Sequence, residues 1–231
     1  MYPSTDVDFF EKSLETFVRA GRFGDAAGLI AASWHSLATM HGARLRGAIS
    51  SVPETTWGTD PCILAAIGAS YRSLDSHSRS AALPWFRTAR ALIAADRPAE
   101  HVVAGILVQE SVALRSLGRF DDARELGLEA WRMLADDVAP TALQRIRAQA
   151  QIALQLGLTH LHSGELDDAS AMLRIALGLS EKNLIRSETV ECLGGLAYLE
   201  YLSGRYGAAI EFAERADETA GDTKLLDSPF G

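Results

Sequence analysis

A fourfold internal repeat constrains the fold of this 231-residue chain more than any other feature of its sequence. In four segments a glycine is followed two positions later by a bulky side chain and five positions later by an alanine. The four sets are Gly21, Phe23 and Ala26; Gly118, Phe120 and Ala123; Gly164, Leu166 and Ala169; and Gly204, Tyr206 and Ala209. Each set lies between two stretches whose apolar residues are spaced three and four apart. The repeat therefore predicts a series of helical hairpins.

Each position of the repeat has a physical role in a hairpin. The glycine can end the first helix in left-handed backbone without a Cβ clash. The bulky residue then fills the corner, and the alanine lets the two helices approach closely. Aromatic side chains at packing positions of the second helices are expected in the core: Trp34, Trp85, Phe86, Trp131 and Phe212. We therefore interpret all twelve repeat residues as packing residues.

The spacing of the glycines sets the number of hairpins. Gly118, Gly164 and Gly204 are 46 and 40 residues apart, whereas 97 residues separate Gly21 from Gly118. The long interval predicts a degenerate hairpin without the glycine, with helices at 61–74 and 78–95. We expect an all-α fold of about five antiparallel hairpins, at about 5–40, 61–95, 98–136, 140–180 and 184–220, in a single domain 1–231. Residues 52–59 are the one predicted loop, with Trp57 exposed.

Composition and charge exclude several functional classes. The net charge of −8 makes the chain a poor candidate for direct contact with nucleic acid. No apolar stretch approaches the roughly 18 residues that a membrane helix needs, and the acidic start does not resemble a signal peptide, so we expect a cytoplasmic protein. Cys62 and Cys192 stand alone in apolar helical contexts and are expected to be buried, reduced thiols.

The sequence contains no pattern typical of catalysis or of a cofactor. His160 and His162 are two positions apart on a predicted helix and point in different directions, so we expect no metal site there. Acidic pairs such as Asp121-Asp122 and Asp167-Asp168 fall at helix starts, where the helix dipole favours negative charge. We predict a non-enzymatic protein without a cofactor or metal, and we keep a helical enzyme with clustered titratable groups as the least favoured class.

A polar stripe along the first helices is the best candidate for a binding site. Gln109 and Gln155 each stand nine residues before a repeat glycine, so they are equivalent in adjacent hairpins. In stacked hairpins the first helices line a concave surface, where a groove of amides, an arginine and a tyrosine suits a peptide or a small polar ligand. The candidate groove residues are Gln109, Arg115, Gln151, Gln155, His162 and Tyr198. The alternative is that the stripe is only the solvated side of amphipathic helices.

One unit of the sequence resembles the tetratricopeptide (TPR) repeat, and its matching residues are Leu156-Gly157, His160, Gly164, Leu166, Ala169, Leu173 and Ala176. The units of this chain have 40 to 46 residues, which exceeds the usual 34 of that repeat. This resemblance implies a right-handed superhelical solenoid. Ile49–Pro53 and Pro61–Leu64, together with the long units, are similar to the TPR-like sensor region of MalT-like, LuxR-family transcriptional regulators of bacteria. That family implies a sensor that binds an effector or a partner protein between an ATPase and a DNA-binding domain, neither of which occurs in these 231 residues.

Two functions remain open from the sequence. The first is a ligand-binding or protein-binding sensor region of a LuxR-type regulator, with a protein, peptide or small-molecule effector in the groove. The second is a stand-alone scaffold for protein assembly, with self-association as a further option. Neither requires contact with a membrane.

Overall fold

The structure is a computed structural model that describes residues 5–30, 46–47, 49–71, 80–96, 100–136 and 142–221. Most helices of these ranges form five hairpins, which we number along the chain. Hairpin 1 comprises Thr5–Arg19 and 23–30; hairpin 2, Pro61–Ser70 and Ala82–Asp96; hairpin 3, Glu100–Ser116 and Phe120–Asp136; hairpin 4, Ala142–Ser163 and Leu166–Lys182; and hairpin 5, Arg186–Leu202 and Tyr206–Ala220. The described residues contain no strand, so the predicted all-α fold is confirmed.

All four repeat glycines end a helix in left-handed backbone, as predicted. Their φ angles lie between 68° and 81°. The amide of Gly118 donates to the carbonyl of Arg115 (2.9 Å), and the amide of Arg119 donates to the carbonyl of Leu114 (3.0 Å). The same two bonds recur at the other three glycines and form a Schellman motif, which satisfies carbonyls that the helix end would leave free. A local sequence signal thus fixes four of the turns.

The bulky and alanine residues of the repeat are more deeply buried in hairpins 1, 3 and 4 than in hairpin 5. Ala26, Ala123 and Ala169 are completely buried, while Ala209 is only partly buried. The corner residues Phe23, Phe120 and Leu166 are partly buried, and Tyr206 is exposed. Of the aromatic residues expected in the core, Phe86 is fully buried, Trp131 and Phe212 pack against the core of hairpins 4 and 5, and Trp85 is partly buried. Trp34 lies outside the described residues.

The predicted loop 52–59 is wrong in part, because Glu54–Trp57 forms a short helix. Gly58 closes it by donating to the carbonyl of Glu54 (2.7 Å). The predicted exposure of Trp57 is also wrong. Its indole is buried and donates through Nε1 to the carbonyl of Val52 (2.9 Å). A buried indole with a satisfied N–H holds this segment in place.

Hairpin 2 begins where the sequence predicts. Asp60 caps its first helix by accepting from the amides of Cys62 (2.8 Å) and Ile63 (3.2 Å), and Pro61 occupies the first helical position. Pro84 lies in the first turn of the second helix, where proline is tolerated. Both helices pack together, and the ring of Phe86 lies against Gly68.

The chain divides into two compact units, residues 1–98 and 99–231. The second unit contains hairpins 3, 4 and 5, and the first helix of hairpin 4 contacts the first helices of both neighbours. Its core includes Leu154, Leu158, Leu173, Leu193 and Leu196. The single domain expected for residues 1–231 remains a prediction.

Candidate functional site

The structure separates the six predicted groove residues into two groups. Gln109, Arg115 and Gln155 are buried, Gln151 is partly buried, and His162 and Tyr198 are exposed. Arg115 and Gln155 lie between the first helices of hairpins 3 and 4, not on an open surface. A ligand would have to separate those helices in order to reach them. A ligand-binding role for these six residues remains a prediction.

Arg115 joins hairpin 3 to hairpin 4 through three hydrogen bonds. Its Nη1 donates to the carbonyl oxygen of Gln155 (2.9 Å) and to Oγ1 of Thr159 (3.3 Å). Its Nη2 donates to Oε1 of Gln155 (2.8 Å). A buried guanidinium needs such acceptors, because its desolvation would otherwise be costly. The polar stripe is therefore, in part, an inter-hairpin contact.

A second polar contact between these hairpins lies at the turn of hairpin 4. His160 Nδ1 lies 2.6 Å from Oε2 of Glu165, across Gly164. Arg124 of hairpin 3 forms an ion pair with Oε1 of the same carboxylate. Hairpin 5 repeats the arrangement with other residues, since Glu200 pairs with Arg205 across Gly204, and Arg174 of hairpin 4 approaches Glu200 to 3.8 Å. We call these two groups the turn clamps.

The turn clamps lower the pKa values of their carboxylates. The hydrogen bond with His160 is the main cause that holds the pKa of Glu165 below its ordinary value, and Ser163 and Arg124 contribute less. The hydrogen bond from Arg205 lowers the pKa of Glu200 in the same way. Both carboxylates are thus held ionised by partners on their own turn and on the preceding hairpin.

The clamp of hairpin 4 also contains the one group of potential metal ligands found among the described residues. Ligand atoms of His160, Glu165 and Asp168 lie within 4.8 Å of one another. However, the guanidinium of Arg124 already contacts Glu165, and it would repel a divalent cation. The geometry therefore favours an ion-pair contact over a metal site.

Both acidic pairs lie at helix starts, as predicted, and the first pair makes local contacts there. Asp121 accepts from Arg124 (2.7 Å), and Asp122 accepts from Arg119 (2.6 Å). Asp167 and Asp168 lie exposed in the first turn of the next second helix. These carboxylates stabilise helix starts, as their positions in the sequence indicate.

The most distinctive exposed feature is a set of large apolar and aromatic side chains on hairpin 5, which we call the terminal aromatic surface. It consists of Tyr198, Tyr201, Leu202, Tyr206 and Ile210. All five are exposed, and the rings of Tyr201 and Tyr206 lie 5.7 Å apart between centroids. Clustered exposed apolar side chains are typical of contact sites for other macromolecules.

Repeat register shows why this surface differs from scattered surface residues. Six positions before the turn glycine, hairpin 4 has Leu158, which is 0% exposed, and hairpin 5 has Tyr198, which is 53% exposed. Three positions before it, Leu161 is 5% exposed and Tyr201 is 58% exposed. In hairpin 4 these positions are part of the core shared with hairpin 5. Tyr198 and Tyr201 of the terminal aromatic surface therefore lie on the stacking face of their hairpin.

Sequence reasoning identified only Tyr198 of this surface as a candidate site residue. Tyr201, Leu202 and Ile210 were missed, and Tyr206 was assigned to packing alone. A comparison of the same repeat position in successive hairpins would have indicated them, because tyrosine replaces leucine at both positions of the first helix.

Within the described ranges, no helix is both long enough and apolar enough to cross a membrane. No protein-family model and no curated protein matches the sequence. The similarity to the LuxR-family sensor region therefore remains a prediction.

The chain is similar to several solved structures, among them three of TPR-like proteins. A Podosopora anserina kinesin light chain-type protein with nearly identical TPR-like repeats is 14% identical, with a TM-score of 0.52, over 95% of this chain and 97% of that one. BtubC (BKLC) from P. vanneervenii is 15% identical, with a TM-score of 0.54, over 89% of this chain and 90% of that one. Aspartyl phosphate phosphatase F from Bacillus subtilis is 12% identical, with a TM-score of 0.56, over 99% of this chain and 67% of that one. At these identities the similarity concerns the fold, and the fold of this chain is a TPR-like helical repeat.

Proposed function

We propose that this chain is a protein-binding scaffold without catalytic activity, and that the terminal aromatic surface is its contact site. The observation that carries the proposal is the exposure of Tyr198 and Tyr201 at positions where hairpin 4 buries leucines. Tyrosine suits a surface that is alternately wet and covered, because its ring gives contact area while its hydroxyl tolerates water. Protein interfaces are enriched in tyrosine for this reason.

The use of the buried polar groups supports the same proposal. Arg115 and Gln155 bind each other between hairpins 3 and 4, and the turn clamps hold hairpins 3, 4 and 5 together. These groups stabilise a stack of hairpins. A rigid stack can present a preformed surface to a partner at a low entropic cost of binding.

Site-specific photocrosslinking tests this function. A photoreactive phenylalanine analogue is placed at Tyr201 or Ile210, and at Leu184 as a control, because Leu184 is 90% exposed and belongs to the turn before hairpin 5. We expect positions 201 and 210 to crosslink the same protein in cells of the source organism, and position 184 to give no such product.

Binding is then measured with the crosslinked protein in purified form. Tyr201→Ser should weaken it by about tenfold or more, as expected for an aromatic anchor, while Leu184→Ser should have no effect. Equal crosslinking at all three positions, or equal affinities of the two variants, would contradict the proposal.

A second candidate function is the effector-binding sensor region suggested by the resemblance to LuxR-family regulators. In that role, an effector with a carboxylate or amide group would have to displace Gln155 from the guanidinium of Arg115. Bound effector should raise the melting temperature of the wild-type protein, and Gln155→Ala should change that increase. An increase that Gln155→Ala leaves intact would remove the predicted groove from consideration.

A further inference from the structure

We infer that the partner segment that binds the terminal aromatic surface is a basic amphipathic helix, packed as hairpin 5 packs on hairpin 4. This inference rests on the proposed function and specifies the chemistry of the partner. It is carried by two features of hairpin 5: the repeat register of its exposed face, and the charges that lie beside the tyrosines.

The register shows what kind of structure covers this face. In hairpin 4, Leu158 and Leu173 pack against hairpin 5 so closely that a Cβ on Gly195 would meet their side chains at 3.2–3.3 Å. The counterparts of these two leucines in hairpin 5 are Tyr198 and Ala213, and both are exposed. The surface thus continues an interface whose other side, one repeat earlier, is formed by a helix.

Acidic side chains on the second helix define the charge of the partner. Glu214 is the counterpart of Arg174, whose guanidinium reaches Glu200 of the following hairpin at 3.8 Å and lies 5.9 Å from the ring centroid of Phe212. A charge at this repeat position therefore reaches the neighbouring helix. Asp217, one turn further on, is also exposed. A lysine or arginine on the partner would complement both carboxylates.

Two arginines of the described part of hairpin 5 already have acceptors. Arg215 donates to Glu181 of hairpin 4 (2.8 Å), and Arg205 is bonded to Glu200 in the turn clamp. The carboxylates of Glu211 and Glu218 on the same helix add further negative charge to its surroundings. The electrostatic potential beside the tyrosines is therefore negative.

A second copy of this chain fits this face less well than a basic helix does. Stacking two terminal aromatic surfaces would bring two acidic helices together, and each copy carries a net charge of −8. Like charges across an interface oppose association. Charge complementarity therefore disfavours a second copy as the occupant.

Model peptides test the inference with the complete chain. Three fluorescent peptides of about 20 residues, long enough to form a helix, share a leucine and alanine face and carry lysine, glutamine or glutamate on the opposite face. Their affinities are measured by fluorescence anisotropy at about 50 mM and about 300 mM salt. We expect the lysine peptide to bind the wild-type protein about tenfold or more tighter than the other two.

Two variants and a matched control locate the binding. Tyr201→Ser should weaken the lysine peptide about tenfold, and the double variant Glu214→Lys, Asp217→Lys should reverse the preference toward the glutamate peptide. The control is Glu125→Lys, Glu129→Lys, which makes the same change of charge at exposed positions of hairpin 3. It should leave the affinity within about twofold, since charges beyond the Debye length are screened.

The possible outcomes separate this inference from the proposed function. If the control double variant weakens binding as much as the variant at Glu214 and Asp217, the attraction is non-specific and the inference is overturned. A glutamine or glutamate peptide that binds best and still depends on Tyr201 overturns the basic partner but leaves the surface as a binding site. A concentration-dependent dimer in sedimentation velocity that Tyr201→Ser abolishes shows that the occupant is a second copy and overturns the inference. If no peptide binding depends on Tyr201, the inference fails, and photocrosslinking decides the proposed function separately.

Discussion

Gly157 lies at a point where two helices of hairpin 4 meet with no space for a side chain. A Cβ at this position would come within 2.7 Å of Cγ of Leu173 and within 3.0 Å of its backbone nitrogen. Leu173 is fully buried, and its other side contacts Gly195 of hairpin 5. The leucine therefore cannot withdraw without disturbing the next hairpin, so Gly157→Ala should force the helices apart.

Gly178 in the same hairpin provides the matched control, because its added Cβ meets no atom within 4 Å. Replacing a helical glycine with alanine stabilises by about 0.5–1 kcal/mol where space allows, so Gly178→Ala should raise the free energy of unfolding by that amount. Gly157→Ala gains the same stabilisation of the helix backbone but loses about 1–3 kcal/mol through overpacking. Gly157→Ala should thus be less stable than Gly178→Ala by about 1–3 kcal/mol.

Urea unfolding followed by circular dichroism at 222 nm measures this difference, provided that both variants have the same m-value. The comparison between the two alanines cancels most of the effect of glycine on the unfolded chain. Equal stabilities of Gly157→Ala and Gly178→Ala would refute the close packing of the two helices at Leu173.

Three other properties follow from the structure. Leu184 has a φ of 56° and is 90% exposed. Leu184→Gly should therefore raise the midpoint of urea unfolding, because it relieves about 1 kcal/mol of backbone strain. A lower midpoint would contradict the left-handed turn. The contact with His160 lowers the pKa of Glu165, so its stabilising effect is fully present above its unfolded pKa and is lost as the pH falls through the lower folded value. The difference in stability between wild type and Glu165→Gln should therefore shrink as the pH falls below the ordinary glutamate pKa of about 4.3, and a constant difference would exclude the clamp. Burial raises the pKa of Cys62 to about 11 and the pKa of Cys192 still further. Both thiols should therefore react slowly with a colorimetric disulfide reagent at about pH 8 in the folded protein and at once in denaturant. Rapid labelling of Cys192 in the folded protein would place this thiol at the surface.

Sequence could predict the turns because their cause is local. A glycine in left-handed backbone and an alanine five positions later are required by the geometry of one hairpin, and Gly118 and Ala123 show both features as expected. Leu184 shows the limit of this reasoning. It adopts the same left-handed conformation without the glycine that would have indicated it.

Burial of the predicted site depended on contacts between hairpins, which periodicity does not show. A helical pattern places Gln155 and Arg115 on polar faces, but the facing helix decides whether such a face is open or covered. In the structure these two side chains satisfy each other. Trp57 differs from its prediction for a similar reason, because its indole N–H finds the carbonyl of Val52 and can be buried.

The arginines that connect neighbouring hairpins fix the order of the repeats. Arg124 lies six residues after its turn glycine and meets Glu165, whereas Arg174 lies ten residues after its own and approaches Glu200. Hairpins that look alike in sequence are therefore not interchangeable modules. If hairpin 4 were deleted and hairpin 3 joined to hairpin 5, Arg124 would face Arg205, and two like charges would replace an ion pair.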